Sequence, residues 1–165
     1  YKQLAFHGRI IIRDVVGPEN PNEIVYMELN KNGKSTGDIK DLSIYARFFR
    51  FVNEFKPTKI KYKKVKIKGK ELIQLSIKDA YEFIAKMNYV DNWDSELHEE
   101  FGFYSFSRWK KELEKVGFKI VPGSKSFINN YIIENMYKGK ATLYKNKNLD
   151  LADYPPTNMI LAAEK

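Results

Sequence analysis

The chain has 165 residues, of which 43% are hydrophobic and 30% charged, and this mixture fits one globular domain with a buried core and excludes a disordered chain. It contains no cysteine and no apolar run of the roughly 18 residues that a membrane helix needs. These absences exclude disulfides, thiolate metal sites and a membrane-spanning helix within these residues. The net charge of +8 is matched by eight lysines between residues 56 and 70, so the positive charge is concentrated locally.

The first part of the chain predicts a strand, a loop, a second strand and a helix. Residues 9–16 (RIIIRDVV) are almost continuously apolar and β-branched, which is typical of a strand buried on both faces in a largely parallel sheet. A loop follows at 17–22, and Ile24–Leu29 predicts a short strand. Apolar residues at helical spacing predict a helix over 41–55, with Asp41 as its N-cap and Pro57 after its end.

The lysine-rich part of the chain predicts a β-hairpin over residues 59–77. Lysines alternate with Ile, Tyr and Val, and a slip in the alternation at Lys63 and Lys64 predicts a β-bulge. The turn falls at 68–70. A helix is predicted over 77–87, with Ser76 as its N-cap and Asp79 in the capping-box position.

The remaining elements include one clear amphipathic helix. Residues 89–102 predict a loop with a short helical piece at 91–101. The helix over 105–116 is capped by Ser105 or Ser107 and stops at Gly117. Strands are predicted at 118–122, 131–133, 141–144 and 158–163.

Three segments, in this order, resemble the C-terminal half of the class I (Rossmann-like) S-adenosylmethionine-dependent methyltransferases. Residues 6–14 (FHGRIIIRD) look like the fifth strand of that family after its GGR turn, and 104–121 (YSFSRWKKELEKVGFKIV) look like its last helix and sixth strand. Residues 156–165 (PTNMILAAEK) are similar to its closing seventh strand. Residues 91–101 (DNWDSELHEEF) also resemble a segment of a bacterial subgroup of these enzymes.

The resemblance implies an α/β fold: the C-terminal half of a Rossmann-like mixed sheet. Strands 9–16, 118–122 and 158–163 would form it, with the last strand antiparallel between the other two and helix 105–116 on one face. Residues 1–19 and 104–165 would form this domain. Residues 20–103 would be an insertion of helices and the lysine-rich hairpin that caps the active site.

The resemblance also implies S-adenosylmethionine as the cofactor and a small molecule as the methyl acceptor. The family grips its cofactor with a Gly-rich turn after its first strand, and no such turn is present here. His7 stands where the family usually has Gly, and the first residue is Tyr1. We therefore expect the chain to be the substrate side of a longer cytoplasmic protein. Alone, we expect it to be inactive, with no cofactor-binding residue, no metal ligand and no membrane partner.

The candidate substrate-binding residues are chosen by their positions in the predicted elements. Arg13 and Asp14 end the strand at 9–16, and ligands of open α/β sheets lie beyond the carboxyl ends of strands. The alternative is that they form a salt bridge or cap a turn. Tyr45 and Arg47 on the first helix are candidates for a pocket wall, although such residues are more often core or paired. Tyr104 is a core residue or the wall of an aromatic pocket.

His98 is the candidate catalytic residue, as a general base oriented by a carboxylate of the following glutamates. Glu99, next to it, is a candidate substrate-binding residue. The alternative is a partly exposed histidine without a catalytic role, and this alternative is the preferred interpretation.

The lysine run 56–70 allows two non-enzymatic alternatives. Alternating lysines and apolar residues on a hairpin resemble a basic ribbon that binds nucleic acid. An edge hairpin that lysines keep soluble explains the pattern more simply and is preferred. A protein-interaction module, or a homodimer formed through sheet edges, is the third hypothesis.

Overall fold

The structure is a computed structural model that describes residues 4–5, 7–102 and 104–165. Eight strands are assigned in these ranges: β1 (Arg9–Asp14), β2 (Ile24–Leu29), β3 (Tyr62–Ile67), β4 (Lys70–Ser76), β5 (Lys119–Ile120), β6 (Lys125–Phe127), β7 (Ala141–Tyr144) and β8 (Asn158–Glu164). The α-helices there are α1 (Ile44–Glu54), α2 (Ile77–Lys86), α3 (Trp93–Glu96), α4 (Phe106–Lys115) and α5 (Asn130–Ile132), which continues as a π-helix at Ile133–Tyr137. Phe6, in the segment resembling the GGR turn, lies outside the described residues. None of the helices described is both long and apolar enough to cross a membrane.

The first sheet contains the three strands that the resemblance singled out. Its order is β1-β8-β5, and β6 pairs with β8 further along the same side. Strand β8 runs antiparallel to β1 and to β5, so β1 and β5 are parallel to each other. Helix α4 packs on one face, where Trp109 and Leu113 meet Met159 and Leu161. The predicted order and directions of these three strands are confirmed. The predicted mixed sheet of three strands is wrong, because β6 is a fourth strand and every pairing in the sheet is antiparallel.

The prediction that the first strand is buried on both faces in a largely parallel sheet is wrong. Strand β1 pairs with β8 alone among the described strands, and that pairing is antiparallel. The side chain of Ile12 packs under α4, whereas Ile11, on the opposite face, is 70% exposed. The β-branched residues of this segment therefore indicate that it forms a strand, but they do not indicate whether one face of the strand or both are buried.

The second sheet has the order β3-β4-β2-β7 and is antiparallel throughout. Helices α1 and α2 cover one face, where Phe48, Phe51 and Phe83 are fully buried at the centre of the largest hydrophobic core. The Phe48 and Phe83 rings meet edge to face with their centroids 5.2 Å apart. Strand β7 comes from within residues 104–165 but is an edge strand of this second sheet, so the chain crosses between the two sheets again after β6.

The lysine-rich hairpin forms as predicted but without the bulge. Strands β3 and β4 pair residue for residue from Tyr62↔Leu75 to Ile67↔Lys70. The two-residue turn at Lys68 and Gly69 has positive φ at both positions, as a type I′ turn requires. The apparent slip in the alternation of apolar residues has another cause. Ile60, the first apolar residue of the pattern, lies before β3 and is buried independently of that strand.

Two further local predictions are wrong. Residues 131–133 are helical and not a strand, because the Asn129 side chain caps the turn by accepting from the Tyr131 N–H. The N-cap of α1 is Ser43 and not Asp41, since the Ser43 hydroxyl accepts from the Ala46 N–H at 3.1 Å. The Asp41 carboxylate instead pairs with the Lys34 ammonium at 2.7 Å.

The other predicted caps are confirmed. The Ser76 hydroxyl accepts from the Asp79 N–H at the start of α2, and the Ser105 hydroxyl accepts from the Arg108 N–H at the start of α4. Gly117 has a φ of +97° after the end of α4, which a residue with a side chain adopts only with strain.

A buried ion pair joins α2 to the segment that leads into α4. Glu82 and Lys86 lie one turn apart, their side chains are both 1% exposed, and the Lys86 ammonium is 3.3 Å from the Glu82 carboxylate. The carboxylate also accepts from the N–H of Phe101 at 3.0 Å and of Gly102 at 2.6 Å. The Lys86 ammonium donates to the Glu99 carbonyl. One charged pair thus satisfies three backbone groups of residues 99–102.

Replacement of Glu82 by Ala is expected to lower the free energy of unfolding by about 3–5 kcal/mol, because it leaves the Lys86 charge buried without a partner. Urea unfolding followed by circular dichroism measures the loss. The control is Glu134→Ala, which removes a Glu–Lys pair of the same spacing whose side chains are 58% and 68% exposed, and which should leave stability nearly unchanged. Equal effects of the two substitutions would contradict a structural role for the buried pair.

Candidate functional site

The most promising site lies beyond the carboxyl end of β1, where the chain meets the start of α4. After the strand, Gly17 forms a parallel bridge with Ser105, and its N–H donates to the Tyr104 carbonyl at 2.9 Å. A Cβ on Gly17 would lie 2.4 Å from the carbonyl oxygen of Gly102, so a side chain at this position would force the two segments apart. This close approach places the loop 18–22 beside the first turn of α4.

A cavity of about 580 Å³ opens between this loop and α4, and we call it the junction cavity. Its charged and aromatic lining residues come from the loop, from α2, from α4 and from the segment just before α4: Glu19, Lys78, Tyr104, Arg108 and Lys111. The Arg108 guanidinium lies 4.9 Å from the centre of the Tyr104 ring, and this ring also packs edge to face on Trp109 with the centroids 5.4 Å apart. The cavity therefore combines three cations with one aromatic ring.

The carboxylate of Glu19 occupies the amino end of α4. It accepts from the Ser107 N–H at 3.1 Å and from the Ser107 hydroxyl. Partial burial opposes ionisation of Glu19, but the hydrogen bonds from Ser107 and Ser105 outweigh it and hold the pKa of the carboxyl below its usual value. The negative charge is thus directed to the helix terminus, where the backbone N–H groups favour it.

Arg13 and Asp14 lie at the end of β1 but on opposite faces of the sheet, since successive strand residues alternate. Both are exposed. The Asp14 carboxylate accepts from the Val15 N–H at 2.8 Å, which is the turn-capping arrangement. Neither residue is among the described residues that line the junction cavity. Their role in substrate binding stays a prediction.

Tyr45 and Arg47 lie on α1, against the second sheet. The Arg47 guanidinium donates to the carbonyls of Ile39, Lys40 and Met87 at 2.9–3.0 Å, which ties the loop before α1 to the end of α2. Burial lowers the pKa of Arg47. The Tyr45 ring packs on Phe49 and lines a separate cavity of about 200 Å³. The structure does not bring these two residues to the junction cavity, and their proposed roles also stay predictions.

His98 and Glu99 are exposed on the segment that follows α3. The Nδ1 atom of His98 is 2.8 Å from the Asp94 carbonyl oxygen, a contact that fits the ring as a donor to the preceding turn. Glu99 offers its carbonyl to Lys86. Of all the predicted site residues, Tyr104 is the one that lines the junction cavity.

Sequence reasoning missed Glu19, Lys78, Arg108 and Lys111 as residues of one site. A signal was present for α4, because Arg108 and Lys111 are three residues apart and therefore lie on one polar face. The approach of Glu19 and Lys78 depends on the contact between Gly17 and Gly102, which no local pattern reveals. In the part of the chain that is described, no group of three or more His, Asp or Glu residues is placed to hold a metal ion.

Comparisons of the chain with protein-family models, with curated proteins and with solved structures find no match.

Replacement of Glu19 by Gln is expected to lower the free energy of unfolding at pH 7 by roughly 0.5 kcal/mol, because the amide keeps a hydrogen bond but loses the charge at the helix terminus. The pKa of Glu19 is depressed in the folded state, so its contribution is complete above the unfolded pKa of about 4.3 and disappears as the pH falls through the folded value. The difference between variant and parent should therefore vanish in acid.

Urea unfolding at a series of pH values between neutral and about 3 measures this difference. Glu23→Gln is the control, since Glu23 is exposed near the same loop and its carboxylate makes no hydrogen bond or ion pair in the described structure. A difference for Glu19 that persisted unchanged in acid would contradict the assigned cause.

Proposed function

We propose that this chain is the substrate-side part of a Rossmann-like S-adenosylmethionine-dependent methyltransferase. The observation that carries the proposal is strand β8, which runs antiparallel between β1 and β5 while those two run parallel to each other. Helix α4 lies between β1 and β5 in the chain and packs on one face of the sheet. The closing strands of the family that the sequence resembles have this order and these directions.

The unpaired edge of β1 supports the second half of the proposal, that the cofactor-binding strands belong to another part of the same protein. Among the described strands, β1 pairs with β8 on one side only. Ile11 projects from the face opposite α4 and is 70% exposed, so it is an apolar side chain that a neighbouring strand or helix could cover. A further parallel strand on this edge, with its helix, would bury both the backbone groups and this side chain.

The junction cavity is the proposed position of the methyl acceptor. Ligands of open α/β sheets lie beyond the carboxyl ends of the strands, and this cavity lies beyond the end of β1. The sulfonium cofactor supplies the methyl group when it is bound, and this chain supplies alignment of the acceptor. Tyr104, which lines the cavity, is proposed to contact the acceptor. Arg13 and Asp14, on the exposed end of β1 and outside this lining, stay candidate substrate-binding residues. His98 is the candidate general base, and Glu99 is a candidate substrate-binding residue.

The proposal predicts that the codons preceding Tyr1 encode a strand, a Gly-rich turn and a helix. The longer protein should bind S-adenosylmethionine in isothermal titration calorimetry, whereas residues 1–165 alone should release or absorb no heat. Absence of a Gly-rich strand-turn-helix upstream would contradict the proposal. Binding of the cofactor by residues 1–165 alone would contradict the division of roles.

Substitution of Ile11 by Thr tests the open edge of β1. In residues 1–165 the change should be nearly neutral, because Ile11 is exposed there. In the longer protein it should lower the free energy of unfolding by about 1–3 kcal/mol, because a covered isoleucine loses its burial. Thermal or urea unfolding of the four proteins measures both effects.

Leu151→Thr is the matched control for this test, since Leu151 is also largely exposed, at 67%, and lies between β7 and β8, outside the strands. It should be neutral in both proteins. If Ile11→Thr were neutral in the longer protein as well, no part of that protein would cover β1. A dimer of residues 1–165 in light scattering that Ile11→Thr dissociates would assign the edge to a second copy of the chain instead.

A further inference from the structure

A second cavity of about 500 Å³ lies next to the junction cavity, between the β3–β4 hairpin and the start of α2. Asn22 and Lys78 line both cavities, so the two are adjacent. We call the two adjacent cavities together the basic groove. It runs from the edge of the lysine-rich hairpin, past the start of α2, to the first turn of α4.

The groove is strongly cationic. Six of its lining side chains are basic, three from the hairpin region and three from the helices: Lys59, Lys61, Lys63, Lys78, Arg108 and Lys111. Two of these are already paired, since the Lys78 ammonium lies 2.5 Å from the Glu100 carboxylate and the Arg108 guanidinium 3.3 Å from the Glu112 carboxylate. Within the described residues, no salt bridge is formed by the other four lysines.

The groove is lined by two acidic residues, Glu19 and Asp79, so its six basic side chains outnumber its carboxyl groups. The Glu19 carboxylate is bound at the amino end of α4, as described above. Burial raises the pKa of Asp79, against hydrogen bonds from the Ser76 hydroxyl and the Lys61 N–H. Neither acid forms a salt bridge with a lysine of the groove in the described structure. The groove consequently attracts anions along its whole length.

The hairpin divides the lysine run between different surfaces. Lys64 lies over the Phe49 ring at 4.2 Å, on the side of α1. Lys68 and Lys70 bind the Asn148 carbonyl and the Glu28 carboxylate. Only the alternate residues Lys59, Lys61 and Lys63 line the groove. If the lysines served only to keep an edge hairpin soluble, there would be no reason for three lysines without a salt bridge in the described structure to line one cavity.

An aromatic ring lines each half of the groove. Tyr62 is 36% exposed and packs edge to face on Phe48, with the centroids 5.4 Å apart. Tyr104 lies at the other end, beneath the guanidinium of Arg108. A cationic channel that carries aromatic rings at intervals is the arrangement by which proteins bind single strands, with phosphates on the cations and bases against the rings.

We propose that the basic groove binds single-stranded nucleic acid, with phosphates on Lys59, Lys61, Lys63 and Lys111 and bases against Tyr62 and Tyr104. Because the groove ends in the junction cavity, the bound strand is also the methyl acceptor, in place of the small molecule that the family resemblance suggests. This second statement rests on the proposed methyltransferase function. The binding itself needs no cofactor and no catalysis.

Fluorescence anisotropy with labelled 20-nucleotide oligo(U) and oligo(dT) tests the binding. The chain should bind at 50 mM salt, and the logarithm of the affinity should fall linearly with the logarithm of the salt concentration. The triple variant Lys59→Gln, Lys61→Gln, Lys63→Gln should bind about tenfold more weakly or worse. Its salt slope should be smaller by about 2, since each phosphate contact on a single strand contributes about 0.7. Preference for one of the two oligonucleotides distinguishes RNA from DNA.

The matched control is the triple variant Lys125→Gln, Lys145→Gln, Lys147→Gln, which removes the same charge from exposed lysines outside the groove. It should change the affinity less than twofold. Tyr62→Leu should weaken binding about fivefold or more, because one stacking surface is lost, without changing the salt slope. Unchanged circular dichroism spectra exclude unfolding as the cause of either loss.

Three outcomes would overturn the proposal. The first is no binding of either oligonucleotide at 50 mM salt. The second is an equal loss in the two triple variants, which means attraction by net charge alone. The third is binding to vesicles of phosphatidylserine and phosphatidylcholine without binding to oligonucleotides, which identifies a membrane surface as the partner. Each leaves the proposed methyltransferase function intact, because that function is tested by the upstream codons and by cofactor binding.

Discussion

The placement of the candidate site depends on how the carboxylate of Glu82 is satisfied. A buried charge is tolerated only when it is paired and hydrogen-bonded, and this one takes the ammonium of Lys86 and two backbone N–H groups of residues 101 and 102. The segment 99–102 is thereby held against α2. After residue 102 the chain runs past Gly17. Tyr104 then lines the junction cavity, and α4 begins beside the end of β1. The geometry of the cavity follows from that attachment.

Local elements could be predicted from the sequence because their signals are local. Ser76 and Ser105 cap the starts of α2 and α4, and Gly117 follows the end of α4. Lys68 and Gly69 form the hairpin turn. Each of these features depends on contacts within a few residues. The covering of β1 could not be predicted, because a β-branched strand has the same composition whether one face or two are buried. The position of β7 was also hidden, since its pairing with β2 joins residues more than a hundred positions apart.

The site was less predictable than the fold for the same reason. Tyr104, predicted as a core residue or the wall of an aromatic pocket, lines the junction cavity. Arg47 suggested a ligand-binding cation, but its guanidinium binds three carbonyls of the protein, and sequence alone cannot distinguish the two uses. The lysine run was recognised as a unit, whereas strand alternation divides it between two faces. Only the three-dimensional register reveals that Lys59, Lys61 and Lys63 share the basic groove with Arg108 and Lys111.

The pairing of β1 with β8 has a consequence for the order of folding. Arg9 pairs with Glu164, so the first sheet closes across 155 residues of chain, and the loop entropy of that closure must be overcome before any contact in it is gained. The hairpin and α2, in contrast, are joined by contacts of short sequence separation. We therefore expect the β3–β4 hairpin and α2 to form early, whereas the first sheet and the pairing of β7 with β2 form late.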